Sequence, residues 1–311
     1  MNFLPWCTFA AVLIRHAQTV NPSTKKIEDH PAWAILNAFE CGDSAADRII
    51  GGKDAALGQL PWIARLGYTG VFGDIEWLCG GALLSDRLVI TAAHCAQADN
   101  LYNLTHVRLG EHDVTKDPDC QLNVCAPRVQ DLRVQRVLRH ESFNKPMFHN
   151  DIAIIEMATP ANFHDYVAPI CLPRNAEQLS PVPIGDSVVV AGWGKTNMTT
   201  EETADKLQFV NLPVLDPKNC SVFNRRFIWN TDVICAGGEK NRDACAGDSG
   251  GPLSKVFDTP EGPKHVLVGV VSFGPAICGT GNLPGIYVSV PAFMMWILGH
   301  VDGSYVSSTR R

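Results

Sequence analysis

From Ile49 onward the chain consists of short runs of β-branched and apolar residues, broken by Gly, Pro, Asn and Asp. The clearest runs are residues 88–90, 132–138, 152–155, 188–190, 266–271 and 286–290. Many short strands with frequent turn signals predict an all-β barrel or sandwich. Only residues 291–300 read as a helix. Pro291 stands in the first turn, and Phe293, Met294, Trp296 and Ile297 fall on one broad face. Residues 20–48 are polar and unperiodic, with Asn21-Pro22-Ser23 and Lys25-Lys26, and predict a flexible segment ahead of the β-rich region. Before them, residues 3–14 are mostly apolar. That run is too short to cross a bilayer and fits the core of a secretory signal peptide over residues 1–19, a buried apolar segment being the alternative.

Composition narrows this picture. The chain has 311 residues, 46% hydrophobic and 19% charged, a globular composition large enough for its own core. A formal net charge of -6 gives no reason to expect nucleic acid or an anionic membrane as partner. Eleven cysteines change the picture most. They stand singly, without the paired spacing of zinc sites, and so predict a disulfide framework made in an oxidising compartment. Loss of a signal peptide would remove Cys7 and leave an even ten.

Three segments carry candidate chemistry: Thr91-Ala92-Ala93-His94-Cys95, Asn150-Asp151-Ile152-Ala153-Ile154, and Gly247-Asp248-Ser249-Gly250-Gly251-Pro252. A serine hydroxyl needs a base to take its proton. Imidazole titrates near neutrality and can pass that proton on to a leaving amine, and a buried carboxylate can fix its tautomer. Glycines around a serine predict a tight turn with bare backbone N–H groups. The order His, Asp, Ser separates this arrangement from other hydrolase folds.

With these flanks the chain resembles the trypsin-like serine proteases from Ile49 to about Val301. The resemblance implies two six-stranded antiparallel β-barrels with a C-terminal helix, a peptidase domain over 49–302 and a tail over 303–311. It implies His94 as general base and acid, Asp151 as its orienting partner and Ser249 as nucleophile. The N–H groups of Gly247 and Ser249 become the oxyanion hole. Cleavage after Arg48 in Arg48-Ile49-Ile50-Gly51-Gly52 would free an Ile49 ammonium to pair with Asp248, so that 20–48 is a pro-segment. Asp243 falls at the floor of the specificity pocket, with Ser272, Gly274 and Gly285 in its walls, and demands Arg or Lys before the cut bond. Ala244 removes a hydroxyl partner from Lys, so Arg is the expected preference. Phe273 replaces the usual Trp and should alter the adjoining subsite.

The same resemblance pairs Cys79 with Cys95, Cys220 with Cys235, Cys245 with Cys278, and Cys41 with Cys171, the last tethering the pro-segment as a light chain. Cys120 and Cys125 close a short loop similar to that of arthropod clip-domain proteases of melanisation and Toll-type cascades, with venom forms among their relatives. The pro-segment holds only Cys41, so a six-cysteine clip domain is missing from this sequence. Implied partners are protein substrates, an upstream activating protease and serpin-type inhibitors, with the enzyme a monomer. A digestive trypsin and a non-catalytic homologue acting as a binding cofactor are the rivals. The chemistry requires no cofactor. Glu111, Asp113 and Asp119 lie in an acid-rich loop that is either a structural Ca²⁺ site or simply solvated. Asn103 and Asn197 are glycosylation acceptors, with Asn219 a weaker one beside Cys220. The spacing of His106, His112, His140, His149, His164 and His265 suggests no metal site.

Overall fold

The computed structural model describes residues 22–44, 53–96, 101–147, 149–195, 202–222, 231–240, 244–275 and 283–302. Strands Ile63–Gly70, Ile75–Leu83, Leu88–Thr91, Ala153–Met157, Gln130–Arg139 and Tyr102–Leu109 close, in that order, into an antiparallel barrel. A second ring runs Gln208–Leu215, Ser187–Gly192, Pro252–Thr259, Gly262–Phe273, Pro284–Ser289 and Val233–Gly237. The pairing of Val214 with Ala236 closes it, and Lys53–Asp54 adds to the outer edge of its first strand. The fold is therefore two six-stranded barrels, and each apolar run of the sequence lies in a strand except Ile152, just ahead of Ala153–Met157, and Val290. Ala153–Met157 is buried along nearly its whole length, which is why it shows no polar alternation.

Val290 opens the helix Val290–Val301, one residue earlier than the pattern predicts. Phe293, Met294, Ile297 and Leu298 bury its inner face in a core that also takes in Leu267, Val270 and Val288 of the second ring. Among the described residues no helix is long and apolar enough to cross a membrane.

The segment before the barrels departs from expectation. Residues 22–44 are not a featureless polar stretch: Pro22–Glu28 and Trp33–Leu36 are helical, and Ile27, Ala32, Trp33 and Leu36 are buried. Trp33 donates its indole N–H to Ile27 O at 2.6 Å, and the Arg174 guanidinium stacks on its ring at 4.9 Å. Two short helices supply too few turns for a 3.6-residue period to register, so docking rather than amphipathic pattern fixes them. Further along, Gly42 exchanges backbone hydrogen bonds with Pro169 and His265, and Cys41 is bridged to Cys171.

Candidate active site

Strand pairing explains how His94 and Asp151 meet. Thr91, the last residue of its strand, pairs with Ala153, the first of the neighbouring strand. The loop leaving one and the loop entering the other therefore share one end of the barrel. Asn150 turns the chain with φ 55°, held by hydrogen bonds from its side-chain amide to Ser142 O and Lys145 O. Asp151 follows and is buried. Its Oδ1 accepts the backbone N–H of His94 at 2.8 Å. Oδ2 lies 2.8 Å from His94 Nδ1 and accepts the Ser272 hydroxyl at 2.6 Å. A carboxylate on Nδ1 sets the proton there and leaves Nε2 as the basic nitrogen.

Ser249 arrives from the second barrel, in the turn before Pro252–Thr259. Its carbonyl accepts the N–H of Gly80, in the first barrel, at 2.8 Å. Gly250 allows this close seam. It has φ 77°, and a β-carbon there would lie 2.2 Å from Thr91 Oγ1 and 2.6 Å from Gly80 O. Among the described residues no hydrogen bond yet joins His94 Nε2 to Ser249 Oγ; Nε2 lies 3.5 Å from Cys95 Sγ. Such bonds are commonly long before substrate binds. Gly247 has φ 103°, and its β-carbon would meet Gly194 Cα at 3.0 Å.

Asp248 sits behind Ser249. Its carboxylate accepts the N–H groups of Gly194 and Cys245, each at 2.8 Å. Complete burial pushes its pKa up to about 6 against the pull of those two bonds. A small cavity of about 50 Å³ adjoins it, lined in part by Arg65, Trp77, Trp193 and Gly192. Gly192 and Gly194 make room for the carboxylate, since a β-carbon at either would lie within 2.5 Å of it. Neither glycine stands out in the sequence; a Gly-Trp-Gly triplet after an apolar run is the only signal. The bond from Ser272 to Asp151 also escapes sequence reading, which places Ser272 only in a pocket wall.

A pocket of about 230 Å³ opens beside Ser249, lined by Ala244, Ser272, Phe273, Gly274, Gly285 and neighbours. Its walls are close together: a β-carbon on Gly274 would touch Gly285 Cα at 3.8 Å, and one on Gly285 would meet the Tyr287 hydroxyl at 3.0 Å. Side chains there would narrow the slot. Asp243, the expected floor, lies outside the described residues, as do Arg48, Ile49, Asn197, Cys278 and the apolar start of the chain.

Bridges join Cys79 to Cys95, Cys120 to Cys125 and Cys220 to Cys235, and Cys245 is also disulfide-bonded. Asn103 is exposed on the strand Tyr102–Leu109, and Asn219 is exposed beside Cys220.

The carboxylates of the acid-rich loop are engaged by internal partners. Glu111 is buried and faces Arg108 at 3.2 Å and Arg65 at 3.9 Å. Asp119 accepts the N–H groups of His112 and Asp113. Asp113 accepts from Thr115 and from Lys116 Nζ at 2.7 Å. Burial alone would raise its carboxyl, but these bonds outweigh it and hold the pKa at about 2. Glu111 and Asp119 share the His112 N–H, while Asp113 is taken up by Thr115 and Lys116, and among the described residues the three acids are not grouped as a metal-ligand cluster. Cys79, His94 and Cys95 do converge, but the two sulfurs are joined in a disulfide.

Two six-stranded barrels with a His–Asp pair and a glycine-framed serine at their seam define a chymotrypsin-type serine peptidase. Comparison with known proteins agrees. The trypsin family model matches residues 49–297. Phenoloxidase-activating factor 3 of Holotrichia diomphalia is 40% identical over 277 residues, covering 86% of this chain and 76% of that protein. Phenoloxidase-activating enzyme 1 of Spodoptera litura is 41% identical over 273 residues, covering 86% and 71%. The crystal structure of the Drosophila Grass clip serine protease of the Toll pathway superposes with a TM-score of 0.74 at 32% identity, covering 89% of this chain and 77% of the other. The chain belongs to the trypsin family and is a serine endopeptidase.

Proposed function

We propose that the chain is a secreted zymogen that, once cut, cleaves protein substrates after Arg, and less well after Lys, in an extracellular cascade of the melanisation type. The observation that carries the chemistry is the Asp151 carboxylate, which binds both nitrogens that His94 presents to it and the Ser272 hydroxyl. In this reading His94 Nε2 takes the Ser249 proton as Oγ attacks the carbonyl carbon, then delivers it to the departing amine. The N–H groups of Gly247 and Ser249 hold the developing oxyanion. Asp243 selects the cation before the cut bond.

Activation follows from Asp248. A fully buried carboxylate met by only neutral N–H groups is incompletely compensated. The adjoining cavity gives an Ile49 ammonium, freed by cleavage after Arg48, a place to pair with it. The disulfides support an oxidising, extracellular setting. The printed names of its relatives, which include a phenoloxidase-activating enzyme and Melanization protease 1, support the cascade. Asn103 and Asn197 are its proposed glycan sites.

The test is hydrolysis of a peptide arylamide ending in Arg, before and after limited trypsin treatment, with the new N-terminus sequenced. Activity should appear together with Ile49-Ile50-Gly51-Gly52, and Arg48→Gln should abolish both. Clean cleavage without activity would sink the catalytic reading.

A further inference from the structure

The strand Gln130–Arg139 carries an unbalanced row of cations on the outside of the first barrel. Leu132, Val134 and Leu138 pack against the core, while Asp131, Arg133, Gln135, Arg136 and Arg139 are exposed. Val134 pairs with Met157 and Arg136 with Glu156, so Gln135 is the extra residue of a β-bulge. A bulge re-aims side chains, and here Gln135 and Arg136 are both exposed. Outward charges on antiparallel strands gain from an opposite charge across the ladder. Only some of these have one. Asp131 is held by Arg108 through two bonds of 2.7 and 2.8 Å, and Arg136 reaches Glu156 at 2.7 Å. Arg133 stands opposite His106 and Arg139 opposite Ala153, neither of which offers a carboxylate. Among the described residues neither guanidinium has an ion-pair partner. The Arg133 charge is felt across the ladder: burial, and after it Arg133, holds the His106 imidazole below its usual pKa.

This row runs against the character of the molecule. The chain has a formal net charge of -6, yet the strand has three Arg against one Asp. From Arg133 to Arg139 it advances about 20 Å, at about 3.3 Å per residue. Screening at physiological salt acts over about 8 Å. A thin, linear polyanion laid along the strand would therefore meet the cations and be shielded from most of the acidic surface. A flat anionic membrane would face more of the molecule, and the net charge opposes it. Single-stranded nucleic acid draws much of its affinity from stacking on aromatic rings, and the strand has no Phe, Tyr or Trp. Sugar hydroxyls instead take amide donors and acceptors, and Gln135 offers both between Arg133 and Arg136. Guanidinium forks pair with the oxygens of charged oxyanions, and a sulfate ester presents such oxygens.

We propose that Arg133, Gln135, Arg136 and Arg139 form a binding site for a linear sulfated polysaccharide. Such a site would hold the protein at a sulfated surface whether or not Arg48 has been cut. It does not depend on the catalytic reading of His94 and Ser249.

The test is binding of size-defined heparin fragments to the full chain, followed by fluorescence anisotropy over a range of salt concentrations. The wild type should bind, with a log–log salt slope of about -2 for three charge contacts, as for a flexible single-stranded polyanion. The double variant Arg133→Gln, Arg139→Gln should bind at least about tenfold more weakly, with a slope of about -0.7 and an unchanged melting temperature. Lys25→Gln, Lys26→Gln makes the same change in net charge on the helix Pro22–Glu28 and should bind like the wild type. No binding by the wild type, or a slope near zero, would overturn the proposal. Equal losses in the two double variants would reduce the effect to net charge and overturn it as well. If the arginine double variant melts lower than the wild type, Arg133→Gln alone takes its place, and undiminished affinity there would count against the site. An oligodeoxynucleotide of matched length, or vesicles of phosphatidylserine and phosphatidylcholine, bound as tightly as heparin would transfer the row to that other class of polyanion and overturn the assignment to a polysaccharide.

Discussion

Ser272 shows what a single hydroxyl can hold in place. It reaches Asp151 Oδ2 at 2.6 Å, the same oxygen that faces His94 Nδ1, and so fixes the carboxylate on the far side of the imidazole. A hydrogen bond to a charged group contributes about 1.5–3 kcal/mol. Ser272→Ala should therefore lower kcat on an arginine peptide by at least about tenfold without unfolding the protein, measured under saturating substrate. Unaltered kcat would show that the packing around Asp151 holds it without the hydroxyl. The proposed catalytic residues stand out in the sequence because their chemistry tolerates few other side chains, and their flanking glycines and alanines are short-range. Gly192 and Gly194 are not legible in this way. Their constraint is the Asp248 carboxylate, 54 and more residues along the chain, and only three dimensions bring it within contact. Ser272 carries no local mark either, since its partner lies 121 residues away.

The same contrast recurs among the elements. Strands read well because each needs only a few alternating or continuous apolar residues, and those of 187–192 and 262–273 announce themselves. The helices before the barrels do not, because one of them has only four residues and its burial comes from docking. Trp33 anchors that docking through its indole bond to Ile27 and the stacked Arg174. Truncating a buried Trp typically costs about 3–5 kcal/mol. For Trp33→Ala, thermal denaturation should show a melting temperature lower by about 6 °C or more. A change below a degree would mean that the segment rests on the surface without stabilising the barrels. In the loop 111–119 the sequence displays acidic residues without showing where they point. Their internal partners turn an apparent ligand set into a self-contained network of Arg108, Lys116 and backbone N–H groups.

At the scale of the whole molecule, folding buries one charge that nothing among the described residues neutralises. Asp248 has its pKa raised from 3.8 to about 6 in the folded chain. A carboxyl raised on folding contributes stability that is fully present below pH 3.8 and lost as pH rises through about 6. For a completely buried group this amounts to about 3 kcal/mol between the two limits. In the uncleaved protein, the melting temperature of the wild type relative to Asp248→Asn should therefore rise between pH 7.5 and pH 5. A difference independent of pH would show that the carboxylate already has a counter-charge. Closure of two rings rather than one sandwich is likewise a property of the whole, set by pairings such as Val214 with Ala236 that no local pattern specifies.

The bridge between Cys41 and Cys171 spans 130 residues and joins the first segment to the body of the protein. A chain cut after Arg48 would gain only a water molecule in mass and, without reducing agent, would run as a single band beside the uncut form. Addition of a thiol would split it into a small fragment and a large one. Electrophoresis of non-reduced samples would thus report how much of the protein is present and nothing about how much of it has been switched on.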